Sequence, residues 1–113
     1  MTYDPAVASM NEAQRLLARA MTEKDLQANV YDAARKLGWL VYHTWNSKHS
    51  ASGYPDLVML RGARGIAVEL KREGKDVTPA QEKWLEAYAL AGFWADVWHP
   101  HDWVTGYIEG FLR

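Results

Sequence analysis

The run Ile66-Ala67-Val68-Glu69-Leu70-Lys71 limits the fold more than any other stretch of the chain. Its apolar residues suit a buried strand. Its two charged residues do not, because a buried charge is costly unless something compensates it. Strand side chains alternate between faces, so Glu69 and Lys71 share one side while Val68 and Leu70 share the other. A carboxylate and an ammonium therefore leave an apolar ribbon side by side. A second apolar run, Leu57-Val58-Met59-Leu60, is opened by Asp56. If the two runs pair as neighbours, Asp56 joins Glu69 and Lys71 at one end of a sheet. Two carboxylates and a lysine so placed suit a Mg²⁺ site: hard oxygen ligands, open water positions and a cation beside the nucleophile. The competing reading is an ordinary surface ion pair between Glu69 and Lys71.

The remaining chain decides whether such a site has a domain to sit in. With 113 residues it has enough for one domain and one modest core. No apolar run approaches the roughly 20 residues that span a bilayer, and the first residues lack the layout of a secretory signal. The absence of cysteine excludes disulfides and thiolate metal sites and fits a reducing compartment; a cytoplasmic location is the expectation. The formal net charge of −1 offers no global attraction for nucleic acid, so a DNA binder of this composition must gather its basic groups on one face. The six tryptophans are expected to pack the core or to form an interface.

Asp4-Pro5 starts a helix, and Val7, Met10, Leu16 and Leu17 give it a loose apolar stripe to about Ala20. Met21-Thr22-Glu23 reads as a second beginning. Residues 1–20 are thus expected to be an added arm, a packing or dimer element, ahead of a domain over 21–113. Thr22, with Asp25 three residues on, caps a helix whose face is Leu26, Val30, Ala33, Ala34 and Leu37. Glu23 and Gln27, four apart, share one face of it. Trp39–Thr44, Asp56–Arg61 and Ile66–Lys71 read as strands, the last two joined by the turn Gly62-Ala63-Arg64-Gly65. Thr78-Pro79-Ala80-Gln81 is a complete helix start, which by itself accounts for Gln81. Phe93–Trp98 is a fourth strand, and Asp102 is expected to cap a last short helix. The histidines at 43, 49, 99 and 101 lack a convincing zinc spacing, with His99 and His101 at a turn. The fold class is α/β, a mixed sheet flanked by helices.

Two Mg²⁺-ligating carboxylates and a lysine suit phosphodiester hydrolysis. The loop from Trp45 to Tyr54 holds Asn46, Ser47, Lys48 and His49 and no acid. Arg72 and Lys75 add positive charge after the third strand, partly cancelled by Glu73 and Asp76. Gln27, Asn46, Ser47, Lys48, His49, Arg72 and Lys75 are the expected DNA contacts.

The chain resembles the PD-(D/E)XK nuclease superfamily, and within it the VRR-NUC family. The matching residues are Thr22-Glu23 and Gln27, Asn46, Gly53-Tyr54-Pro55-Asp56, Val68-Glu69-Leu70-Lys71, Thr78-Pro79-Ala80-Gln81 and Gly92. They run in order from about residue 22 to 98. The resemblance implies a restriction-endonuclease-like core and a nuclease dependent on Mg²⁺ or Mn²⁺. Asp56 and Glu69 would ligate the metal, joined by the Leu70 carbonyl. Lys71 would be catalytic, supported by Glu23 and Gln81. It also implies a homodimer acting on branched DNA in the manner of a Holliday-junction resolvase. A flap or nicking nuclease, a DNA-binding module without catalysis and a Mg²⁺-dependent enzyme on a small phosphoryl substrate are the alternatives. The last lacks a Gly-rich phosphate loop.

Overall fold

The computed structural model describes residues 5–45 and 49–113. Helices α1 (Pro5–Ser9) and α2 (Glu12–Ala20) stand where one helix was expected. The break comes from a reciprocal cap: Asn11 Oδ1 accepts from Gln14 N–H at 2.8 Å, and Gln14 Oε1 accepts from Asn11 N–H at 3.0 Å. Such a box begins a new helix wherever it forms. The anticipated stripe also needs correction, since Leu16 and Leu17 are exposed while Met10 and Ala18 are buried. Helix α3 (Glu23–Lys36) starts on the Thr22–Asp25 box and buries Leu26, Val30 and Ala34.

Strands β1 (Leu40–His43), β2 (Leu57–Arg61), β3 (Arg64–Leu70) and β4 (Trp94–Trp98) form one sheet in that order. The first two pairings are antiparallel and the third is parallel, so β3 reaches β4 through a crossover helix, α4 (Pro79–Leu90). Arg61 pairs with Arg64, which shortens the expected four-residue turn to Gly62-Ala63 and starts β3 two residues early. A two-residue loop with glycine first matches the twist of a hairpin.

One sheet face, with Leu57, Met59, Ile66, Val68, Leu70 and Trp98, packs on α3 and on Ile108 and Leu112 to make the core. The opposite face receives α4 over β3 and β4. On the same face of β1 and β2, Leu40, Tyr42 and Leu60 remain exposed.

The single closing helix is two, α5 (Pro100–Val104) and α6 (Tyr107–Leu112), parted by Gly106 in a left-handed conformation. Asp102 is not its N-cap but sits in the first turn of α5, accepting from His99 N–H at 2.8 Å. Leu112 is wholly buried, and Trp39 Nε1–H donates to its carbonyl at 2.8 Å. Leu112 therefore serves the core. Of the tryptophans, Trp39 and Trp98 are buried, whereas Trp45 and Trp94 are exposed. Among the described residues no helix is long and apolar enough to cross a membrane.

Candidate metal centre

The β2–β3 register pairs Leu57 with Val68, so the next step along the ladder brings Asp56 opposite Glu69. The neighbouring chain supports this point from β1: Thr44 N–H donates to the Asp56 carbonyl at 3.0 Å, and Thr44 Oγ1 to the Pro55 carbonyl at 2.9 Å. Asp56 Oδ2 accepts from Leu70 N–H at 2.8 Å, which holds its carboxylate against the end of β3. Glu69 is only 4 % exposed. Its Oε1 accepts from Gln81 Nε2 at 3.0 Å. Its Oε2 is buried and meets no donor; a proton shared with the Asp56 carboxyl is the bond this pair makes without a cation. Burial, and after it the Asp56 carboxylate, push the Glu69 pKa up to about 9; Lys71 opposes the rise and Glu23 adds to it. The fold thus makes Glu23, Asp56, Glu69 and Lys71 electrostatic neighbours.

Gln81 reaches Glu69 because Thr78 fixes the start of α4. Thr78 N–H donates to Gln81 Oε1 at 2.9 Å, and Gln81 N–H to Thr78 Oγ1 at 3.3 Å. The sequence presented capping and site support as alternatives. Here one amide does both, its oxygen closing the cap and its nitrogen holding Glu69. Gly53 lets the loop before Asp56 press on this helix start. A Cβ at Gly53 would lie 2.4 Å from the Ala80 carbonyl carbon and 2.7 Å from Gln81 N. The contact is closed by Trp84 Nε1–H, which donates to the Ser52 carbonyl at 3.1 Å, and by the paired Tyr54 and Tyr88 hydroxyls. No local pattern announces this clamp, because its partners, Ser52 and Trp84 or Tyr54 and Tyr88, are 32 and 34 residues apart.

Gln27 Nε2 lies 3.5 Å from His43 Nδ1. His49 is exposed, while Asn46, Ser47 and Lys48 fall outside the described residues. Arg72 is exposed and donates to the Arg19 carbonyl at 3.0 Å. Lys75 is exposed, and its carbonyl lies 2.7 Å from His99 Nε2. Glu73 is turned away from Arg72 and toward α5, where its Oε1 accepts from His101 N–H and meets Nδ1, both at 2.8 Å.

A second group was discounted in the sequence for want of zinc spacing. His99, His101 and Asp102 each offer a ligand atom within 4.8 Å of the others, an arrangement that could hold a metal ion. Strand β4 and the first turn of α5 bring the three together across Pro100, and His101 Nε2 lies 3.3 Å from Asp102 Oδ1.

A divalent cation fits the first centre on its own chemistry. Two facing carboxylates, one with a buried oxygen that no donor satisfies, ask for positive charge. A mixed sheet that carries this P-D and E-x-K pair at one end, with flanking helices supplying Glu23 and Gln81, is the PD-(D/E)XK nuclease arrangement. The model of the VRR-NUC domain matches residues 3–101, and the chain belongs to that family. The match takes in most of the first twenty residues, which the resemblance read from the sequence had left outside. A solved structure described as a "VRR_NUC domain" is 26 % identical, with a TM-score of 0.65, over 81 % of this chain and 99 % of its own. A second, a "VRR_NUC domain protein", is 27 % identical, with a TM-score of 0.63, over 81 % and 88 %. No curated protein matches the chain.

Proposed function

We propose that the chain is an endodeoxyribonuclease that needs Mg²⁺ or Mn²⁺ and cuts branched DNA as a homodimer, in the manner of a Holliday-junction resolvase. The observation that carries the metal dependence is the unsatisfied Glu69 oxygen beside Asp56. Asp56, Glu69 and the Leu70 carbonyl would hold the cation, which when bound supplies activation of water and neutralisation of phosphoryl charge. Gln81 orients Glu69 by its hydrogen bond. Lys71, beside the carboxylates, orients the attacking water or stabilises charge as the phosphoryl group is displaced. Glu23 supports the same cluster from the first turn of α3.

The chain has one P-D/E-x-K centre, whereas symmetric resolution of a junction needs two nicks. A two-fold pair supplies both through one self-complementary patch, and the exposed Leu40, Tyr42 and Leu60 offer apolar surface for it. The test of the metal centre is direct. Asp56→Ala and Glu69→Ala should abolish cleavage, and Mg²⁺ or Mn²⁺ should raise the melting temperature of the wild type but not of either variant. Cleavage by both variants at the wild-type rate would reject the site.

A further inference from the structure

Next to Asp56 the structure presents an aromatic mount that neither the cation nor the fold explains. Trp45 is 83 % exposed, so it adds little burial to folding. A lone exposed aromatic would need no explanation, but this ring is the outer end of a ladder. One side of it rests on His43, with ring centres 4.0 Å apart. His43 is held in turn by the edge of Tyr31, at 5.4 Å and nearly perpendicular, and by Gln27. The Arg35 guanidinium lies 5.5 Å over the Tyr31 ring. Gln27, Tyr31 and Arg35 recur at four-residue spacing, so they form one face of α3. Thr44, between His43 and Trp45, is bonded to the backbone of Pro55 and Asp56. The mount is therefore tied to the residues that open the metal centre.

A half-supported, exposed indole, one residue from the Thr44 that is bonded to Asp56, is complementary to the face of an unstacked base. Paired bases in duplex DNA keep both faces covered by their neighbours. We infer that Trp45, backed by His43, is a stacking platform for an unpaired nucleotide next to the scissile phosphate, with Arg35 extending the contact toward the backbone. The inference rests on the nuclease reading and narrows its substrate to branched DNA in which a base at the branch point is free to leave its stack.

The experiment measures binding without cleavage, in EDTA, by anisotropy of labelled DNA. It uses a duplex with a short single-stranded extension, the same DNA with abasic sites in the extension, and the blunt duplex. Wild type should bind the extended DNA roughly tenfold tighter than its abasic counterpart, as one stacked base allows. Trp45→Ala should lose that preference without loss of melting temperature, Trp45→Phe should keep most of it, and binding of blunt duplex should not change. Equal wild-type affinity for extended and abasic DNA, or a Trp45→Ala loss of equal size on blunt duplex, overturns the platform. Cleavage of the same DNAs and of a four-way junction by wild type with Mg²⁺ reports separately. If the abasic preference holds and none of these DNAs is cut, the nuclease reading fails and the platform stands only as a binding site for unpaired bases; if DNA is cut without any abasic preference, the platform alone fails.

Discussion

Glu69 is the residue at which folding and function conflict. Unfolded, its carboxyl ionises near 4.5; folded and metal-free, it keeps its proton up to about 9. Below 4.5 both states are protonated and the site costs nothing. As pH rises from there toward 9 the unfolded chain releases a proton that the folded chain retains, so stability falls. Thermal denaturation in EDTA should show this decline across pH 5–9, and Glu69→Gln should flatten it and melt higher at pH 8. A Glu69→Gln variant with the wild-type slope would place the proton elsewhere. Gln81 allows a finer test, because its two roles use different atoms. Gln81→Glu keeps an oxygen for Thr78 N–H but loses the donor to Glu69 and adds a further carboxylate to the cluster. Cleavage should fall at least tenfold while the α4 cap survives. Retained cleavage with a lowered melting temperature would make Gln81 a cap alone.

Among the elements, the loop ending at Asp56 and the first turn of α4 behave as one piece, and Gly53 is their contact. Gly53→Ala adds left-handed backbone strain of about 1–3 kcal/mol and a clash with Ala80. Gly92→Ala has a positive φ as well, but open space around its Cβ. If the clamp matters, Gly53→Ala should cost clearly more stability than Gly92→Ala and should also impair cleavage; equal melting temperatures and rates for the two variants would remove the clamp from the account. The same elements show what sequence can convey. The starts of α3 and α4 were readable because a capping box is local, and the β2–β3 pairing because both runs are apolar and close in the chain. Asp56 facing Glu69 follows from that register. The Asn11 box was equally local, yet a loose apolar stripe ran across it and masked the break. The pairing of Glu73 with His101 needed the parallel β3–β4 register and the turn into α5, which no nearby residues announce.

The whole molecule leaves one half of a sheet face uncovered, with Leu40, Tyr42 and Leu60 in water. If that strip seats a second copy, light scattering should return twice the 12.9 kDa chain mass, and four-way junctions should be cut faster than linear duplex. A monomer that cuts both alike would end the dimer reading and leave the metal centre untouched. The hairpin of β2 and β3 has a further bearing, on how the chain assembles. It joins residues close in sequence, so it closes at lower entropic cost than the β3–β4 pairing, which waits on the whole of α4. Asp56 and Glu69 are thus driven together before Gln81 arrives to hold either of them. The charge that prepares the site for a cation is, on the way to the native state, a barrier, and stopped-flow refolding should run faster in mild acid, or with the cation present, than in EDTA at neutral pH.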